Sequence, residues 1–275
     1  MLKSNSEEYL SNTQTLTVEE AIANLKSPDL SLRYYAAWWL GKFRVRDLVA
    51  VDALIAALED EADRTELGGY PLRRNAARAL GKLGDRRAVP GLIRALDCLD
   101  FYVREAAAQS LEMLGDSVAI PKLMQLLDGG VAASVQVPGQ PHLAQPYEAA
   151  MEALGTLKAS IAIPLIQPFL QHPVTRVQYA AMRAMYQLTE DDVYGQRLVS
   201  ALEGSELNLR RVALNDLGAI GYIPAAEAIA QCSVENSLKI IALKGLLEHQ
   251  LEPVTKPPVL SDDAIQVMKL MDALL

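Results

Sequence analysis

The chain of 275 residues is short of most groups that protein chemistry usually relies on. It has two cysteines, Cys98 and Cys232, far apart and each inside a helical pattern, which excludes a disulfide framework and fits a reducing compartment. Both read as small buried hydrophobes. Three histidines and no His-Glu dipeptide exclude a repeated iron-ligand pattern, so no metal and no resident cofactor is expected. Glycine patterns of the phosphate-cradling kind are missing. Positive charge is not in excess: the net charge is −8, which argues against nucleic acid, because phosphate binding needs a basic face. No apolar run approaches the length of a membrane span, and the N-terminus lacks the apolar core of a secretory signal. Neither membrane insertion nor nucleic-acid binding is expected, and the localisation expected is cytoplasmic.

Strand-like alternation is absent too, and what replaces it is a repeat. The segments "PLRRNAARALGKLGDRRAVPGLIRAL", "YVREAAAQSLEMLGDSVAIPKLMQLL" and "PYEAAMEALGTLKASIAIPLIQPFL" each read as a helix, a short turn and a second helix. One apolar column, Leu40, Leu80, Leu111, Leu154, Met185, Leu217 and Leu246, sets their register. Four residues earlier every repeat carries alanine: Ala36, Ala76, Ala107, Ala150, Ala181, Ala213 and Ala242. A small side chain one turn before a larger one lets neighbouring helices approach closely and then interdigitate. Pro90, Pro121 and Pro164 open the second helix of their repeats, where a missing N–H costs little. Thr17 and Glu20 form a capping-box pattern. With a period of about 30 residues the fold expected is all-α, a HEAT-like α-solenoid of about seven helix pairs. Residues 1–16 read as an N-terminal arm, 17–252 as the solenoid, and 253–275 as a linker and an extra amphipathic helix that caps the stack or docks on a partner.

Aromatics make up only 5% of the chain, yet "SLRYYAAWWLGKFR" holds two tyrosines and two tryptophans. Ala36, Ala37 and Leu40 already fill the core columns there, so the rings must point elsewhere. Trp38 shares a column with Arg78, Gln109, Glu152, Arg183, Asn215 and Lys244, and Tyr34 one with Arg74, Glu105, Glu148, Tyr179, Arg211 and Ile240. These are solvated columns, so Tyr34 and Trp38, four apart, form an exposed pair. Trp39, in a column of small residues, is expected to pack toward a neighbouring helix. Leaving an indole open forgoes several kcal/mol, at roughly 25 cal/mol per Å². A covering N-terminal arm or a ligand or protein contact accounts for it.

Arg33, Arg73, Arg104 and Arg210 share a further column, continued by Lys239. Asp29, Asp100, Glu206 and Glu235 stand four residues before four of these five, the stabilising orientation for helix ion pairs. Arg73 has Gly69 in that place, which leaves it and Arg74 available to an anion.

The runs "RYYAAWWLGKFRV", "GGYPLRRNAARALGKLGDRRAVP", "VPGQPHLAQPYEA" and "LRRVALNDLGAIGYIPAA" together resemble the E/F-type phycobilin lyases of cyanobacteria, a HEAT-repeat family, and within it the alpha, or E, subunits. The resemblance covers nearly the whole chain. It implies a heterodimer with a homologous F-type subunit that attaches phycocyanobilin, as substrate, through a thioether to a cysteine of the phycocyanin alpha chain. In that reading the nucleophile belongs to the acceptor, and the lyase holds the pigment, controls its protonation and presents it. Aromatic walls and arginines toward the propionates are then sought in Tyr34, Trp38, Tyr70, Arg73, Arg74, Arg104 and Tyr147. His142 is the candidate proton donor, Glu148 the carboxylate, and Tyr179, Arg183 and Tyr186 the partner contact. A lyase-isomerase subunit for the phycoerythrocyanin alpha chain is the nearest alternative. Without the resemblance, the repeats alone support a non-enzymatic scaffold or chaperone that binds a protein through its inner groove.

Overall fold

The computed structural model describes residues 16–251 and 260–275. The expected arm, but for Leu16, and most of the expected linker lie outside the described residues. Among the described residues there are helices and turns, and one isolated antiparallel bridge between Gln136 and Leu143. The chain gathers into two compact units, one up to Leu114 and one from Gly115.

The first unit holds α1 (Val18–Asn24), α2 (Leu30–Lys42), α3 (Leu48–Ala57), α4 (Pro71–Leu83), α5 (Val89–Ala95) and α6 (Phe101–Leu114). Thr17 and Glu20 close the capping box that opens α1, with Thr17 N donating to Glu20 at 2.9 Å and Glu20 N to Thr17 at 3.2 Å. The second unit holds α7 (Ile120–Gln125), α8 (Gly130–Ala133), α9 (Tyr147–Thr156), α10 (Ile163–Ile166), α11 (Thr175–Thr189), α12 (Asp192–Ala201), α13 (Leu207–Ile220), α14 (Ala226–Gln231), α15 (Asn236–Gln250) and α16 (Asp262–Asp272). The seven helices of the leucine column are α2, α4, α6, α9, α11, α13 and α15, and that column and the alanine column are buried throughout. Pro90, Pro121 and Pro164 stand at the start of α5, α7 and α10 as their spacing required. Helix α16 packs on α14 and α15, and Asn236 donates to Leu274 O at 2.9 Å, so it closes this end of the second unit.

Close approach between successive helices follows one rule. The residue after each column leucine is glycine in four helices, and it abuts a small residue of the next. A methyl group on Gly41 would lie 2.8 Å from Ala79 Cα, on Gly81 2.9 Å from Ser110 Cα, and on Gly155 2.7 Å from Ala184 Cα. On Gly218 it would lie 2.8 Å from Ala242 Cα, and on Gly245 2.9 Å from the Gly218 carbonyl carbon. This explains Trp39. Ala79, Ser110, Ala184 and Gly245 of its column each face such a glycine, and α1, which precedes α2, supplies none. Its indole is half-buried and lies on Phe43 of its own helix end, ring centroids 4.9 Å apart.

The arginine column also corrects the expectation of ladders between Asp or Glu and the base four residues on. Its heads turn back to carbonyls at or just past the end of the preceding helix. Arg33 Nε donates to Leu25 O at 3.0 Å, Arg73 Nε to Asp60 O at 2.7 Å, and Arg104 to Cys98 O at 2.6 Å. Arg210 donates to Gly204 O at 2.7 Å and Lys239 to Ala230 O at 3.1 Å. Gln178 holds the same column in α11 and donates to His172 O at 2.6 Å. Terminal carbonyls have no partner within their helix and carry the negative end of its dipole, so they attract donors and cations. The acids do other work: Asp29 accepts from Ser31 N and caps α2, while Asp100 accepts from Tyr102 N and Tyr70 N.

Candidate functional site

In the first unit α2, α4 and α6 lie side by side and present one face. Trp38 is 43% exposed, and Tyr34 and Tyr35 are exposed with it. The ring partner of Trp38 is Tyr35, at 5.5 Å between centroids, so the aromatic cluster includes a residue that the helical register alone had not singled out. Asn75 of α4 donates to Tyr34 O at 3.2 Å and fixes α2 against α4. On α4, which packs against α2, Arg74 and Arg78 stand in the columns of Tyr34 and Trp38. Arg74 lies 5.8 Å from the Tyr102 ring, and its buried Nε has no hydrogen-bond acceptor. Arg78 is exposed. Aromatic faces next to cations that lack a fixed acceptor suit a flat, conjugated molecule with carboxylates.

Tyr70 and Arg73 belong to a different structure. The insertion between α3 and α4 is tied down by its own acids. Asp63 accepts from Leu72 N and so caps α4 from outside that helix, Arg73 pairs with Glu61, and the Tyr70 hydroxyl donates to Glu61 at 3.0 Å. The Arg73 guanidinium lies over the Tyr70 ring at 4.2 Å. Burial and the Glu61 carboxylate push the Tyr70 phenol above its ordinary value, and the hydrogen bonds from Tyr70 and Arg73 hold Glu61 below its own. Tyr70 is buried, so as an aromatic wall it is ruled out here, and Arg73 is committed to Glu61 and to backbone carbonyls. Arg104, committed to Cys98 O and to Leu99 O, is likewise a structural clamp.

The second unit handles the same columns differently. Arg183 was expected on an open face, but it is 7% exposed and lies 3.3 Å from Glu152 and 3.6 Å from Asp216. Asp216 occupies the column that is small in α4, α6, α9, α11 and α15, and is itself buried. A buried carboxylate needs a counter-charge, and Arg183 is drawn in to supply it. Tyr179 and Tyr186 are half-buried, and burial raises both phenols first, with Glu206 and Asp216 adding to it at Tyr179 and Asp192 and Glu190 at Tyr186. The Tyr186 ring meets Tyr222 edge-on at 5.4 Å. Tyr147 is 2% exposed and packs on Phe169 at 5.4 Å; it stands in the clamp column and is core, not a pigment contact. Glu148 lies 3.5 Å from Arg176.

His142 sits half-exposed in the hairpin that carries the isolated bridge, its Nδ1 2.9 Å from Leu143 O. The histidine that does the structural work there is His172, which the sequence reading passed over. It is buried, its Nδ1 accepts from Val174 N at 3.0 Å, and its Nε2 therefore carries the hydrogen donated to Ser134 Oγ at 2.7 Å. Cys98 is buried and Cys232 half-buried, and burial pushes the Cys232 thiol up, opposite to what a nucleophile needs. Among the described residues no group of histidine, cysteine and acidic side chains could hold a metal, and no helix is long and apolar enough to cross a membrane.

Residues 70–136 match the family of HEAT repeats, and residues 32–60 and 146–172 match the PBS lyase HEAT-like repeat. The phycocyanobilin lyase subunit alpha of Nostoc sp. (strain PCC 7120) is 70% identical over 100% of both chains. This chain belongs to the phycocyanobilin lyase alpha-subunit family. A member from Synechococcus elongatus is 54% identical over 95% of this chain and 97% of its own. A chain in the solved complex of CpcE and CpcF of phycocyanin lyase from Nostoc sp. PCC7120 superposes with a TM-score of 0.89 at 70% identity, over 99% of this chain and 100% of that one. The HEAT-like all-α solenoid is thereby shown for this lyase-family chain.

Of the residues sought from the family resemblance, the structure brings Tyr34, Trp38 and Arg74 together on one face and adds Tyr35 and Arg78. It removes Tyr70, Arg73, Arg104 and Tyr147 to structural roles, and Arg183 from the surface. The sequence signal for the additions was the shared column of Arg78 with Trp38. Tyr35 had none, because only the observed ring contact ties it to the indole.

Proposed function

We propose that the chain is a subunit of a heterodimeric bilin lyase that attaches phycocyanobilin through a thioether to a cysteine of the phycocyanin alpha chain, acting with a homologous F-type subunit. The observation that carries this is 70% identity along the full length to a phycocyanobilin lyase subunit alpha. In the reaction the acceptor thiol adds across the ethylidene double bond of ring A. One carbon–sulfur bond forms, the thiol hydrogen ends on the neighbouring carbon, and nothing is oxidised or reduced. The burial of Cys98 and the raised thiol of Cys232 support an acceptor-borne nucleophile.

The face of α2 and α4 receives the tetrapyrrole: Trp38, Tyr35 and Tyr34 lie along its rings, and Arg74 and Arg78 meet its carboxylates. On the second unit His142 stands as a proton donor and Glu148, sharing its charge with Arg176, as a carboxylate of the lyase. Tyr179 and Tyr186, half-buried on the second unit, are the partner contact. Holding the pigment in one orientation beside the thiol is the main contribution expected of such a face.

The lyase-isomerase alternative is disfavoured by the identities, which are 70% and 54% for two relatives named phycocyanobilin lyase subunit alpha and 48% for a bilin biosynthesis protein PecE. The test is reconstitution of this chain with an F-type subunit, free phycocyanobilin and the apo alpha chain of phycocyanin, read by adduct mass and visible spectrum. A covalent, non-isomerised adduct that needs both subunits is expected. An unchanged pigment spectrum would support the scaffold reading instead, and an adduct with a shifted double bond the lyase-isomerase.

A further inference from the structure

The face described above ends in a rim of positive charge that no part of the proposed reaction uses. Lys42 and Lys82 share one column and Arg46 and Arg86 another, in the first two repeats only. Later repeats hold Met113, Thr156, Gln187, Ala219 and Glu248 in the first column, and Ser117, Ser160, Asp191 and Ile223 in the second. Arg44 adds a further cation between them, at a left-handed backbone position (φ 51°) where the corresponding residues of α4 and α6 are Gly84 and Gly115. All five side chains are exposed, and none forms an ion pair among the described residues.

The acids nearby are already engaged. Arg87 grips Asp85 through two nitrogens at 3.1 and 2.8 Å and reaches Asp52 at 2.7 Å, which holds the Asp85 carboxyl below its usual range. Asp47 caps α3, accepting from Val49 N and Ala50 N at 2.8 and 3.0 Å. Between the two turns lies an open cavity of about 420 Å³, lined by Arg46, Arg86, Asp85 and Gly84 over an apolar floor of Val51 and Leu83.

We propose that this rim is a docking site for an acidic segment of a partner protein, one carboxylate entering between Arg46 and Arg86. Five unpaired cations spread over two repeats exceed what one small anion can engage. The chain as a whole carries 34 acidic against 26 basic residues, so an acidic partner is repelled elsewhere and oriented here. A nucleic acid would meet that repulsion along its whole length. The site is independent of the pigment reading.

The probe is a fluorescein-labelled hexaglutamate peptide, followed by anisotropy with the full chain at low salt. Binding is expected, falling at least about tenfold in the Arg46→Ala/Arg86→Ala double variant and steeply with added salt. A Lys26→Ala/Lys269→Ala variant removes the same charge from other exposed positions and is expected to stay within about twofold of the parent. Should the double variant fold poorly, Lys42→Glu/Lys82→Glu reverses charge on the same rim and is expected to abolish binding. The proposal is overturned if no binding is seen, if the Lys26/Lys269 variant loses as much as the rim variants, or if glutarate displaces the peptide at equal concentration, which would make the cavity a site for free dicarboxylates.

Discussion

Trp38 and Arg78 of the first unit and Glu152 and Arg183 of the second occupy one column of the repeat, yet the first pair is open to solvent and the second is closed. The difference comes from the neighbouring column. Where α2 and α4 carry Trp39 and Ala79, α13 carries Asp216, and that single buried carboxylate pulls Arg183 across to it. A solenoid face is therefore not uniformly a binding face. Wherever one helix supplies the counter-charge to the next, the face becomes internal structure, and where it does not, the face stays available for a ligand.

The largest effect expected is a test of the closed region. Arg183→Leu leaves Glu152 and Asp216 without their shared cation in a buried setting and is expected to cost about 3–5 kcal/mol, read from thermal or urea unfolding of the purified chain. Adding Glu152→Gln and Asp216→Asn should recover much of that loss, since removing all members of a buried ion cluster costs less than orphaning some of them. Retention of full stability by the single variant would place Arg183 on the surface after all.

Next in size is the close packing that both regions share. Gly81→Val drives a branched side chain into Ser110 and is expected to destabilise by about 1–3 kcal/mol, whereas the same change at Lys82, one residue on and exposed, should cost well under 1 kcal/mol. Arg44→Gly relieves a left-handed non-glycine residue and is expected to stabilise by up to about 1 kcal/mol, seen as a rise of a few degrees in Tm.

The smallest effect concerns acid. Arg211 pulls the Glu235 carboxyl down to about 2 in the folded chain, against an ordinary value of 4.5. The contribution is fully present above pH 4.5 and is lost as pH falls from there through about 2. Glu235→Gln should therefore flatten the acid limb of the unfolding curve slightly and leave neutral stability nearly unchanged, since the pair is exposed and screened.

The leucine and alanine columns, the proline positions and the capping box were legible because helical period and cap chemistry are local properties of sequence. The partners of the arginine column were not. A guanidinium on a long side chain chooses between an acid one turn away and the carbonyls of the preceding helix, and only the packed position of that helix decides. Tyr70 and Tyr147 misled for a related reason: each follows a stretch rich in glycine or proline, yet the folded chain buries the rings on Arg73 and on Phe169. Trp38 was read correctly because its own helix already filled every core column.

The account's central claim is that the open aromatic face of the first unit receives the pigment. Its most direct test is the rate of phycocyanobilin attachment to the apo alpha chain of phycocyanin by heterodimers carrying Trp38→Ala with Tyr35→Ala, compared with the unaltered pair. A loss of at least about tenfold, worth 1.4 kcal/mol, with folding intact is expected. Attachment at the full rate would contradict it.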